Sequence, residues 1–333
     1  AALRQRRVTS ATSTRRIARV TRLHLGPMDI DEAISLDCAF DELPADHLVR
    51  VYGVRYAALE SAAGDELYVT RYGWAMLPCI RPEVWYQQRR YAQTGQRLEE
   101  GTGAVWRVPT CINRGAPVDL VVKFSRFAQD VPFDLQSTFP SGVEPGEAVR
   151  AKFLSPFEEF GLLRELRLGR FGSPEIRIRT KRPLAIFSPA KTVPAWQLGR
   201  ITSRFRHDAA ALERSQAQAP GRHVRLREDR DYLVLFHWVD GHNAHQCFTR
   251  GYLDEDELLA LTHRVTGELA DKGFRVLDNK PQHFILRPRA NGALLRRDGQ
   301  LVYALVDFEL LERLPAYEQF LRQRKASRPA EPW

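Results

Sequence analysis

Apolar and polar positions change over in short runs along most of this chain, and their spacing predicts strands more often than helices. Residues 105–108 and the β-rich stretch 118–124 read as two strands, with 97–98 as a third ahead of a Gly101-Thr102-Gly103 turn. Alternation at 175–179 and the apolar runs at 184–187, 232–238 and 301–306 predict four more. Helical spacing appears after Pro156, where apolar side chains recur at i+3, i+4 and i+7 from Glu159. A second amphipathic helix is predicted over 253–272, with an acidic start and Gly273 as its stop. A short helix at 209–212 interrupts an otherwise loop-rich, basic segment (189–228). A polar insertion fills about 128–150, and 287–300 reads as a basic hairpin. Residues 28–90 mix short helical and strand-like pieces, ending in an aromatic-rich stretch, 72–91.

The chain has 333 residues, 44% hydrophobic and 27% charged, enough to bury a sizeable core. No apolar run approaches the roughly 20 residues that a membrane helix needs, which argues against transmembrane contact. The four cysteines are far apart and contain no C-x-x-C pair, which argues against a structural zinc site or a dense disulfide framework and favours a reducing, cytoplasmic setting. His237, His242, His245 and Cys247 cluster, but their spacing suits no common zinc pattern. The net charge of +9 favours polyanionic partners: nucleotide phosphates, acidic lipids or glycolipids, or nucleic acid. Part of that charge lies in the first 22 residues, with seven arginines and no acid. Residues 1–27 are expected to be a basic disordered tail, a transit-like segment, or translated sequence ahead of a start at Met28, able to meet acidic surfaces or nucleic acid.

The candidate chemistry lies in Asp278-Asn279-Lys280-Pro281-Gln282-His283-Phe284 and, after an apolar run, Val306-Asp307-Phe308-Glu309. An Asp, a Lys two residues on, and a metal-capable side chain five residues on form the layout of a phosphoryl-transfer loop, with a second Asp to hold the metal. Upstream, Val108 follows Gly101 by seven residues and Lys123 follows Val108 by fifteen. No G-x-S-x-G elbow and no Rossmann fingerprint is present.

In these residues the chain resembles the protein-kinase-like superfamily, over roughly residues 95–313. The His-Phe within the catalytic loop is similar to that of the bacterial lipopolysaccharide-core and Kdo kinases. The resemblance implies an α+β, bilobal protein-kinase-like fold with a reduced C-terminal lobe. Residues 28–94 would be an extension packed on the first lobe, 95–238 the N-lobe and 239–333 the C-lobe. It implies ATP and Mg²⁺ (or Mn²⁺) as cofactors and transfer of a phosphoryl group to a hydroxyl acceptor: a small molecule, sugar, lipid or protein Ser/Thr. Asp278 would orient the hydroxyl and take its proton, and Lys280 would stabilise charge on the transferring group. Gly101 and Gly103 would bring backbone amides to the phosphates, and Lys123 would pair with them, held by Glu159, with Glu158 and Glu165 as competitors for that role. His283 and Asp307 would bind the metal, His283 having a loop-bracing role as its alternative.

The chain departs from the family pattern at several positions. Trp106 stands where a third glycine is expected, and Val276-Leu277 replace the His-Arg before the catalytic Asp. Glu309 replaces a glycine, which restricts the backbone and adds a carboxylate beside the metal position. These departures keep open the reading of a catalytically silent pseudokinase that binds nucleotide or acts as a scaffold.

Overall fold

The computed structural model describes residues 27–98, 103–113, 115–132, 150–219 and 221–327. Gly101, the expected tail up to residue 26 and most of the 128–150 insertion lie outside the described residues.

The chain is α+β, organised on a nine-stranded mixed sheet. Its strands are β1 (Met28–Asp29), β2 (Leu48–Val51), β3 (Val54–Glu60), β4 (Glu66–Thr70), β5 (Gln96–Arg97), β6 (Val105–Asn113), β7 (Ala116–Phe124), β8 (Pro183–Ser188) and β9 (Leu233–His237). The order is β1-β3-β4-β8-β9-β7-β6-β5, with β2 also on β3; β1 lies parallel to β3 and the other pairs are antiparallel. Residues 28–97 therefore extend the same sheet that carries Lys123.

Both faces of this sheet are covered, so its central strands read as continuous apolar runs; all six residues of β8 are buried. One face packs on Trp74, Leu77, Ile80 and Trp85 from short helical turns in the aromatic-rich stretch. The other packs on helix α1 (Pro156–Leu168) and on the C-terminal part of the chain, through Phe157, Phe160, Phe236, Phe284 and Phe308.

Ser155 caps α1, its hydroxyl accepting from the Glu158 amide (3.3 Å), and Gly169 ends it with φ 56°. Gly161 sits mid-helix because the turn at Tyr52 comes too close for a side chain: an added Cβ would lie 2.5 Å from Tyr52 Cβ. This contact fixes how near α1, and Glu159 on it, approaches the sheet.

Helix α2 (Thr202–Gln216) is much longer than the turn expected at 209–212. Its buried stripe is Asp208, Leu212 and Gln216, so only one apolar residue marks it in the sequence. Polar contacts hold it: Lys152 reaches Asp208 (3.3 Å), and the Gln216 amide exchanges hydrogen bonds with the Val224 backbone (2.7 and 2.9 Å). The strand expected at 175–179 is absent. That segment meets β15 only at the Thr180–Leu305 bridge and the adjacent backbone bonds of Leu305 with Arg179 and Lys181.

After β9 the chain turns at Gly241 (φ 145°), where an added Cβ would meet Leu286 O at 2.2 Å. Helix α3 (Glu255–Asp271) buries Leu258, Leu261, Thr262, Val265 and Leu269, the predicted amphipathic face, behind an Asp254–Glu257 capping box. Short strands follow: β10 (His242–Asn243) pairs with β12 (Phe284–Leu286) and β12 with β15 (Tyr303–Leu305); β11 (Phe274–Val276) pairs with β16 (Leu311–Arg313). The basic hairpin narrows to β13 (Arg296–Arg297) and β14 (Gln300–Leu301). Helix α4 (Pro315–Ser327) ends the described residues. Among these residues no helix is long and apolar enough to cross a membrane.

Cys79 and Cys111 form a disulfide with Cα atoms 5.4 Å apart, while Cys38 and Cys247 are free. The two are 32 residues apart in sequence, but the helical turn Leu77–Ile80 packs on β6 and brings them together. A reducing compartment would open this bridge.

Candidate functional site

Lys123 lies on β7, between β6 and β9, in register with Val105 and Val234. Neighbours on both sides fix its backbone, and its side chain is buried. Asp307 leaves β15 two residues after that strand ends, and the Val306 amide donates to His283 O (3.1 Å). These two hydrogen-bonded frames bring Lys123 Nζ to 2.7 Å from Asp307 Oδ1.

Glu309 completes a four-group cluster. Its carboxylate is 3.0 Å from Lys123 Nζ and also accepts from Arg126, while its backbone carbonyl accepts from the Leu154 amide (2.9 Å). Burial alone would lower the Lys123 pKa, but Asp307, Glu309 and Glu159 more than offset it and hold the ammonium charged. Burial would raise Asp307, yet Lys123, His283 and Lys181 hold its carboxyl well below the usual range.

Glu159 is not the ion-pair partner of Lys123. Its Oε1 lies 4.0 Å from Lys181 Nζ, and that oxygen is buried without a hydrogen bond. Burial raises the Glu159 pKa. Lys181, just before β8, sits 3.6 Å from the centre of the Phe236 ring and is pulled down to about 8, chiefly by burial. Lys181 carries no signal in the sequence. In Thr-Lys-Arg-Pro it reads as one more solvated base, and only the sheet's depth buries it.

His283 is buried on the turn Pro281–His283, its Nε2 3.4 Å from Asp307 Oδ2 and its Nδ1 without a partner. Burial, the largest influence, lowers its pKa and favours the neutral imidazole. Asp278 and Lys280 form their own pair (2.8 Å), each about one-third exposed, close enough to His283 to act on its charge. Asn279, between them, donates to Thr266 of α3 (2.9 Å) and anchors the loop. Gly103 is buried against the Arg126 side chain, with 3.5 Å left for a Cβ, and does not line the cleft.

Lys123, Lys181, His283 and Asp307 border a cleft of about 590 Å³, within the size range of small-molecule sites. Val105 and Val121 line it from the sheet, Ile285 and Val306 from the C-terminal part, and residues 237–239 from the segment after β9. Apolar side chains thus share the cleft with a cluster of charged ones. Imidazole nitrogen and carboxylate oxygen 3.4 Å apart suit adjacent positions around a divalent ion about 2.1 Å from each. Among the described residues no group of three His, Cys, Asp or Glu side chains could hold an ion unaided. His283 and Asp307 thus fit a metal as a pair, with phosphate or water oxygens left to fill the other positions.

No protein-family model matches the sequence, and no curated protein matches it. Among solved structures, a high-resolution crystal structure of WbdD is 14% identical over 70% of this chain and 35% of that one, with a TM-score of 0.29. A co-crystal structure of WbdD with the kinase inhibitor LY294002 is 13% identical over 66% and 36%, with a TM-score of 0.26. The chain spans about a third of the length of those structures.

Proposed function

We propose that this chain is a kinase-like phosphotransferase of two-lobed architecture that uses ATP and a divalent metal to phosphorylate a hydroxyl group. The observation that carries this reading is the contact between buried Lys123 and Asp307, with His283 beside it, in a cleft also lined by Val105, Val121, Ile285 and Val306. Bound ATP would supply the phosphoryl group, and Mg²⁺ or Mn²⁺ the charge that neutralises its oxygens. Val105, Val121, Ile285 and Val306 hold the flat base, and Lys123 donates to phosphate oxygens. Asp307 and His283 would hold the metal, which would supply positive charge to the phosphate oxygens. Asp278 orients the acceptor hydroxyl and takes its proton as oxygen bonds to phosphorus and the bond to the leaving phosphate breaks. Lys280 keeps Asp278 in place and offsets charge on the transferring group. The acceptor is a small molecule, sugar, lipid or protein Ser/Thr.

A second reading rests on Glu309. Tied to both Lys123 and Arg126, it holds the lysine that would meet phosphate, which suits a pseudokinase that binds nucleotide without turnover. One experiment separates the two. Purified protein is incubated with γ-labelled ATP and Mg²⁺ or Mn²⁺ in cell extract, alongside Asp278→Ala and Asp307→Ala. Label transfer by wild type, lost in both variants, supports the kinase. Nucleotide binding without transfer or ATP turnover supports the pseudokinase, and absence of nucleotide binding sinks both.

A further inference from the structure

A second cleft, of about 1190 Å³, shares only Val239 and Ile285 with the first. The extended segment before β8 divides them: Lys181 lines the first cleft, while Thr180 and Arg182 line the second. Its walls carry ten basic side chains and, among the described residues, a single acid, Asp240. They come from parts of the chain remote in sequence: β2 and β3, the turn after β4, α1, residues 174–182, the end of α3 and the end of β12.

Several arginines elsewhere on this protein find carboxylates. Arg107 meets Asp119, Arg275 meets Glu312 (3.0 Å) and Arg313 meets Glu165 (2.8 Å). Within the cleft only Arg55 and Arg71 have an ion pair, and both share Asp41. Arg50, Arg164, Arg177, Arg179, Arg182 and Arg287 line it with no ion pair recorded among the described residues. The Arg167 guanidinium stacks on Tyr72 and bonds Thr180, leaving its Nε buried and unpartnered. Burial lowers the Arg164 pKa, and Arg170, Arg50 and Arg55 lower it further against the opposing pull of Glu165, which fits a concavity where positive charge is in excess.

Like charges converging from six segments oppose one another unless an anion joins them. A guanidinium fork matches two oxygens of a phosphate, and several forks around one hollow match several phosphates. The floor, with Ile176, Ile178 and Val302, offers apolar contact to the body of a small ligand. We infer that this cleft is a binding site, separate from the nucleotide slot, for a compact anion bearing several phosphate groups. Lys123, His283 and Asp307 do not line it, so the ligand sits apart from the groups assigned to nucleotide and metal. Contact through Val239 and Ile285 gives it a direct route to the nucleotide cleft.

The test titrates the full chain with inorganic tripolyphosphate and with inositol hexakisphosphate by calorimetry, with the nucleotide slot saturated by a non-hydrolysable ATP analogue. The expected result is saturable one-to-one binding of at least one probe. It should weaken at least tenfold in Arg177→Glu/Arg179→Glu, whose side chains are exposed and whose loss leaves the core intact. Asp278→Asn should leave it unchanged. The inference is overturned if neither probe saturates, or if the double variant binds as tightly as wild type. It is also overturned if those arginines govern binding of a single-stranded oligonucleotide while both small probes fail, which would assign the cleft to nucleic acid. If both small probes bind the same arginines, their relative affinities distinguish a linear from a ring-borne phosphate array.

Discussion

Lys123 and Asp307, 184 positions apart in sequence, meet at 2.7 Å, the lysine buried and the aspartate at the cleft wall. The lysine is delivered by a strand flanked on both sides, the aspartate by the exit of a three-stranded sheet. The contact therefore reports how the large sheet and the C-terminal part of the chain are docked.

Removing the lysine should cost more than removing this aspartate. Lys123→Met leaves Asp307 and Glu309 facing each other in a buried site, whereas Asp307→Asn leaves Lys123 its contact with Glu309. Breaking a buried pair costs about 3–5 kcal/mol. Urea unfolding should place Lys123→Met in that range and Asp307→Asn well below it, with both variants losing phosphate transfer.

The Glu159–Lys181 pair should give a pH-dependent signature. Lys181→Met leaves Glu159 buried with no cation at its free oxygen, so its carboxyl pKa rises further. A carboxyl whose folded pKa is raised favours the fold below its unfolded value of about 4.3, and that contribution is lost as pH climbs through the raised value. Lys181→Met should be only mildly destabilised at pH 4.5 but lose roughly 3 kcal/mol at pH 7. Lys181→Met/Glu159→Gln should abolish that slope. A slope unchanged in the double variant would show that Glu159 is not its source.

Gly161→Ala should destabilise although alanine is the better helix former by about 1 kcal/mol. The new methyl would overlap Tyr52 at 2.5 Å, and Tyr52 is itself held at φ 46°. Overpacking of this kind costs about 1–3 kcal/mol. A lower thermal midpoint is expected, together with weaker nucleotide binding if α1 shifts away from the cleft.

Reduction should loosen the first half of the sheet. The Cys79–Cys111 bridge spans 32 residues, for which loop-closure entropy gives about 3–4 kcal/mol. Calorimetry with and without reductant should show a lower transition temperature on reduction, and Cys79→Ser/Cys111→Ser should unfold at that same temperature regardless of reductant.

Local pattern was enough for much of the framework. The strands through Lys123 and before the Gly241 turn, the capped helices α1 and α3 and the stop at Gly273 were all legible, because each depends on residues a few positions apart. Helix α2 was not, because its buried stripe is mostly polar and is satisfied by Lys152 and the Val224 backbone. The isoleucine alternation at 175–179 matched a strand, but a strand needs a partner along its length, and this segment has one bridge.

The sequence by itself determined which residues could carry the chemistry: Asp278, Lys280, His283, Asp307 and Lys123 stand out by type and spacing. Only the tertiary structure decided their partners. It gave Lys123 to Asp307 and Glu309, paired Glu159 with a buried Lys181, bridged Cys79 to Cys111, and gathered arginines from five segments around one hollow. Spacing along a chain fixes which face of an element a side chain occupies. Which charges then share a low-dielectric interior depends on how those faces dock, and that is a property of the whole fold.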